Sequence, residues 1–140
     1  MAKAGPILIF EDDPDDQEVL QECLKSLNVK NELKFFNDCA AALHYLKTTT
    51  DRPFLILSDV NMPGMSGNDL KKEINKDIKL RQKSIPFVFL TTSIQEKSVF
   101  EAYELMVQGY FQKENSISQI KQTLKMIVDY WSFCKHPNAI

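Results

Sequence analysis

Leu57-Ser58-Asp59-Val60-Asn61-Met62-Pro63-Gly64-Met65-Ser66-Gly67 is the stretch whose reading decides the fold. The apolar run Phe54 to Leu57 leads into it, reads as a buried strand and delivers Asp59 to its end. Pro63, Gly64 and Gly67 then force a turn before the next helical pattern. A carboxylate at the C-terminal tip of a strand stands where open α/β sheets bind ligands. Alone, Asp59 reads more readily as a solvated turn residue, so the other strand ends decide.

Three more apolar runs end in polar groups. Pro6-Ile7-Leu8-Ile9-Phe10 ends in Glu11-Asp12-Asp13. Pro86-Phe87-Val88-Phe89-Leu90 ends in Thr91-Thr92-Ser93, and Gly109-Tyr110-Phe111-Gln112 ends in Lys113. In a parallel sheet these ends share one edge, where three carboxylates, a hydroxyl and an amine would converge.

The segments between the strands have helical spacing. Asp13-Pro14 fits an N-cap with Pro at the first helical position, followed by Leu20, Cys23, Leu24 and Leu27. Leu33 to Phe36 reads as another strand, and helices follow near 38–47 and 67–77. Ile78 to Ser84 is polar and reads as a loop. A helix spans about 95–107, with Phe100, Tyr103 and Val107 at helical intervals. A long final helix carries Ile117, Ile120, Leu124, Ile127 and Trp131 as a core stripe. Strands alternating with helices imply right-handed crossovers over both faces of a parallel sheet. Five strands and five helices predict a flavodoxin-like, doubly wound α/β fold with strand order 2-1-3-4-5.

Composition bounds the function. A chain of 140 residues suits one domain, 1–140, with no output domain. With 44% hydrophobic and 26% charged residues the chain resembles an ordinary globular protein. A net charge of −2 supplies no basic field for nucleic acid or an anionic membrane. No segment approaches the ~18 apolar residues of a membrane helix, and the start lacks a signal-peptide core. Cys23, Cys39 and Cys134 form no Cys-x-x-Cys and read as reduced thiols of a cytoplasmic protein. Cys23 falls on a core face.

Glu11, Asp12 and Asp59 gathered at one edge would repel; like charges ~4 Å apart cost about 4 kcal/mol at an effective dielectric near 20. A hard divalent cation removes that cost, and Mg²⁺ takes oxygen ligands while keeping several waters. Asp12, Asp59, a water held by Glu11 and the Asn61 backbone carbonyl would form a partial shell. Thr91 and Lys113 would serve the remaining oxygens of a phosphoryl group, and Asp59 would be the nucleophile, giving an acyl phosphate.

These residues resemble the receiver domain of two-component response regulators. The match rests on Glu11-Asp12, on Asp59-Val60-Asn61-Met62-Pro63 with Gly67, on Thr91, and on Gly109-Tyr110 leading to Lys113. The Glu-Asp-Asp-Pro-Asp-Asp start and the Ile127-Val128-Asp129-Tyr130-Trp131 ending resemble stand-alone receivers that partner bacterial phytochromes. The resemblance implies phosphorylation of Asp59 by a sensor histidine kinase with Mg²⁺. It also implies a Thr91–Tyr110 switch acting on the face of the 95–107 helix, the last strand and the last helix, with Val99 on that face. A protein target or phosphotransfer partner would read the face, and a homodimer is compatible with it. The domain would promote only its own phosphorylation and dephosphorylation. A phosphorelay intermediate or phosphate sink is the alternative role.

Three departures stand out. Glu114 follows Lys113 where the family usually has proline. Thr92 replaces a small residue, and Met106 stands where a small residue is common and is expected to fill packing space. Rival classes fit less well. A haloacid-dehalogenase-type phosphotransferase needs a general acid where Asn61 stands. A flavin- or nucleotide-binding protein would place glycines and hydroxyls where Glu11-Asp12-Asp13 stands. A phosphate-independent scaffold would not need the full set of acids, hydroxyl and amine.

Overall fold

Apolar residues alternate faces along each central strand, and the two faces bury two separate sets of helices. The computed structural model describes residues 4–137. Its strands are β1 (Ile7–Phe10), β2 (Leu33–Phe36), β3 (Leu55–Ser58), β4 (Phe87–Thr91) and β5 (Gly109–Gln112). Its helices are α1 (Pro14–Ser26), α2 (Cys39–Thr48), α3 (Gly67–Lys76), α4 (Ile78–Lys83), α5 (Glu96–Glu104) and α6 (Ile117–Phe133). All strand pairs are parallel, in the order β2-β1-β3-β4-β5. Leu8, Phe10, Ile56, Phe87 and Phe89 face α2, α3, α4 and α5 through Ala42, Leu70, Leu80 and Ala102. Ile7, Ile9, Leu57 and Leu90 face α1 and α6 through Leu24, Leu124 and Ile127. Cys23 lies in this second cluster, as expected. Among the described residues no helix is long and apolar enough to cross a membrane.

Helix starts follow local chemistry. Asp13 accepts from the Asp15 N–H at 2.8 Å ahead of Pro14. Ser66 and Asp69 form a reciprocal capping box at the start of α3.

Among the described residues the helix count is six, not five. Residues 78–83, expected as a loop, form α4. The Asp77 side chain caps the Lys79 and Leu80 N–H groups at 2.9 and 3.2 Å, and Leu80 anchors the turn in the core. Ser84, left-handed at φ 51°, ends it. The helix expected over 95–107 stops at Glu104. Met106 does not fill packing space: it is 71% exposed, with φ 68°. Phe100 and Tyr103 also face outward, while Val99 is half-buried. Ile117, counted in the core stripe of the final helix, is exposed at its first turn, and the stripe begins at Ile120.

Candidate functional site

Backbone hydrogen bonds set four candidate side chains level along the carboxyl edge of the sheet. Asp59 N–H donates to the Phe10 carbonyl at 2.9 Å, which ties β3 to the end of β1. Lys113 N–H donates to the Thr91 carbonyl at 2.7 Å, which ties the end of β5 to β4. Glu11 N–H donates to Phe36 O at 3.1 Å. Glu11, Asp59, Thr91 and Lys113 therefore converge because each lies at or just beyond a strand end.

Asp59 is held from both sides. Its Oδ1 accepts from the Thr91 hydroxyl at 2.6 Å and from the Asn61 N–H at 3.1 Å. Its Oδ2 lies 3.6 Å from the Lys113 ammonium. That ammonium donates to Glu11 and lies 3.3 Å from Asp16 Oδ2. The second Glu11 oxygen accepts from the Asp13 N–H at 3.2 Å. Burial pushes the Glu11 carboxyl above its ordinary value against the pull of Lys113. Burial also works against the Lys113 charge, but Glu11, Asp59 and Asp16 outweigh it and hold the amine above its ordinary range.

Gly67 is required by close approach. A Cβ there would lie 2.4 Å from the Asp59 carbonyl oxygen and 2.6 Å from Phe89 Cε1. The helix after the acid can pack this near only without a side chain.

Thr91 and Tyr110 meet through one loop residue. The Ser93 N–H donates to Thr91 Oγ1 at 3.2 Å, and the Tyr110 hydroxyl donates to the Ser93 carbonyl. The half-buried Tyr110 ring packs on Phe89 with centroids 5.8 Å apart.

The sequence-derived set is thus mostly brought together. Glu11, Asp59, Thr91 and Lys113 form one network, with Asn61 contributing its N–H. Asp12 stands exposed at the rim, outside that network. The carboxylate crowding expected at this edge is relieved by the Lys113 ammonium, and among the described residues no three His, Cys, Asp or Glu side chains gather as a metal set. The donors still suit a hard cation in kind: an exposed Asp12 carboxylate, a partly accessible Asp59 carboxylate and backbone carbonyls are all oxygen ligands. Lys113 reaches the site over a trans bond to Glu114.

Sequence reading missed the part played by Asp16, in the first turn of α1, and by Gln17. The Gln17 amide donates to the Glu11 carbonyl and, at 2.7 Å, to Asn37 Oδ1, pinning the acidic loop. Their spacing from Glu11 gave the only signal, since α1 turns back over the loop. His136 is buried, its Nε2 2.7 Å from the Phe54 carbonyl oxygen and its ring stacked on that of Phe54.

The response regulator receiver domain family matches residues 7–125. This chain belongs to that family. Response regulator Rcp1 of Synechocystis sp. is 35% identical over 130 residues, covering 89% of this chain and 87% of that protein. The phosphorylated cyanobacterial phytochrome response regulator RcpA has the same fold, with a TM-score of 0.83 and 34% identity over 92% of this chain and 94% of its own. The Mn(2+)-bound form of Rcp1 matches with a TM-score of 0.84 and 32% identity, covering 95% and 99% of the two chains. The chain is therefore a signalling module of the two-component type.

Proposed function

We propose that this receiver takes a phosphoryl group onto Asp59 from a histidine kinase and thereby changes a protein-binding face. The observation that carries the proposal is Asp59 itself, held between the Thr91 hydroxyl at 2.6 Å and the Lys113 ammonium at 3.6 Å. An Asp59 oxygen attacks phosphorus, the bond to the donor's leaving group breaks, and an acyl phosphate forms. Lys113 and Thr91 then meet the new negative oxygens with a charge and a donor. Asp12, Asp59 and the Asn61 carbonyl would hold a divalent cation, with Glu11 behind them; Mg²⁺ is the expected ion. When bound, the cation would neutralise charge on the transferred group.

The output follows from the hydroxyl. Thr91 now donates to Asp59; after phosphorylation it would donate to a phosphoryl oxygen instead. That displacement would pull on Ser93 and free the Tyr110 hydroxyl from its carbonyl. The state is selected because the phosphoryl contact exists in only one form of the protein. Ile94, Phe100, Tyr103 and Met106 are exposed between β4 and β5 and supply apolar surface for a partner. Likeness to RcpA supports a phytochrome-type kinase as the donor. One sheet packed by every described helix supports a single receiver unit, and three free cysteines support a cytoplasmic setting.

The test is incubation with acetyl phosphate and Mg²⁺ followed by intact mass measurement. The native protein should gain one phosphoryl group, and Asp59→Asn should not. Equal labelling of the variant would reject the proposal.

A further inference from the structure

At the opposite end of the sheet a cavity of about 490 Å³ opens between α2, α3, α4 and the start of β4. Its size falls within the roughly 300–1,000 Å³ typical of small-molecule sites. Leu46, Ile56, Ile74 and Phe87 give it apolar walls. Three cations line it, Lys71, Arg81 and Lys83, and no acidic side chain does so among the described residues.

The three cations differ in what they do. Lys83 donates to the Leu46 carbonyl at 2.7 Å and so closes the end of α2. Arg81 is exposed at the edge. Lys71 is only 8% exposed, and among the described residues no carboxylate pairs with its ammonium. It lies over the Phe87 ring, 5.5 Å from the centroid. Desolvation of the side chain shifts this amine below its ordinary range. Phe87 offsets part of that desolvation through its π face.

We propose that this cavity binds a small organic anion, an apolar or aromatic body with one carboxylate or sulfonate head. The head pairs with Lys71, and the body lies against Ile56, Ile74 and Phe87. Charge complementarity selects the occupant: a neutral apolar molecule would leave the ammonium unpaired, and an inorganic anion would leave the walls uncovered. Because α3 begins at Gly67 beside Asp59 and carries Lys71 one turn later, the proposed site stands on the same helix that packs against the receiver acid.

The probe is 8-anilinonaphthalene-1-sulfonate, titrated into the full chain with methyl NMR of the isoleucines and leucines. The expected result is saturable binding with shifts at Ile56, Ile74 and Leu80. Lys71→Met should weaken it roughly tenfold or more, the value of a charge-assisted contact, while Lys71→Arg retains it. The uncharged analogue N-phenyl-1-naphthylamine should bind Lys71→Met and native protein alike. Shifts confined to Ile94, the exposed isoleucine of the surface between β4 and β5, would overturn the proposal, as would unchanged sulfonate affinity in Lys71→Met. The methyl map is read on the native chain, so it decides the matter even if Lys71→Met fails to fold.

Discussion

Replacing Lys113 by Met removes the ammonium that faces Glu11 while keeping most of the side-chain volume. Glu11 is 3% exposed and would retain the Asp13 N–H as a hydrogen-bond donor. Breaking a buried ion pair from one side costs about 3–5 kcal/mol when the remaining charge has no escape. Glu11 has one, because it can take up a proton. Its carboxyl already lies above the ordinary 4.5 through burial, and losing Lys113 pushes it further in that direction. At pH 7 the cost of protonating a group that titrates near 4.5 in the unfolded chain is about 3.4 kcal/mol, a gap of about 2.5 pH units at about 1.36 kcal/mol each. That figure caps the part of the loss that comes from the Glu11 charge at pH 7; at pH 5.5 the cap falls to about 1.4 kcal/mol. The sign follows from proton counting. The folded variant binds one proton more than the unfolded chain, so its stability falls as pH rises through the folded-state pKa of Glu11 and is regained as pH drops toward 4.5. Urea denaturation of native and Lys113→Met protein at pH 5.5, 6.5 and 7.5 reads the difference directly. The gap between them should widen by up to about 1.4 kcal/mol per pH unit, and Glu11→Gln in the same background should abolish the widening. A gap independent of pH would refute the reasoning, because the loss would then not arise from the Glu11 charge.

Gly67→Ala would force a methyl to 2.4 Å from the Asp59 carbonyl oxygen, so about 1–3 kcal/mol of stability should be lost; an unchanged denaturation midpoint would show that α3 can retreat freely. Asp12→Ala should weaken Mg²⁺ binding with little change in stability, since Asp12 is exposed; equal affinity by calorimetry would remove Asp12 from the cation site. Phosphorylation should change amide hydrogen exchange across residues 91–112 and not only beside Asp59. Tyr110→Ala should abolish phosphorylation-dependent partner binding, and retention of that binding would place the gate elsewhere.

Much of this is legible in the sequence. Strand positions followed from short apolar runs, and topology followed from alternation with helices, because a parallel sheet buried on both faces admits few other arrangements. The strand ends then placed Glu11, Asp59, Thr91 and Lys113 together. What escaped depends on contacts between distant residues. The α4 turn has one core residue, Leu80, beside an exposed Ile78 and four polar residues, so periodicity gave no signal and only Asp77 marked its start. The spacing of Phe100 and Tyr103 revealed a helix but not which way its aromatic side faced, because an outward apolar stripe has the same period as an inward one. The Lys113–Glu11 pair was hidden for a similar reason. Sequence placed an amine and three acids at one edge, and only the tertiary structure shows the amine seated on Glu11, with Asp16 beside it and Asp12 left at the rim.

The central claim is that Asp59, alone among the acids at this edge, receives the phosphoryl group. Phosphorylated protein can be reduced with borohydride, which converts an aspartyl phosphate into homoserine, and then digested and mapped by tandem mass spectrometry. The account predicts homoserine at position 59 only, and none at Asp12, Asp13 or Asp16. Homoserine at any of those three positions with Asp59 intact would contradict it.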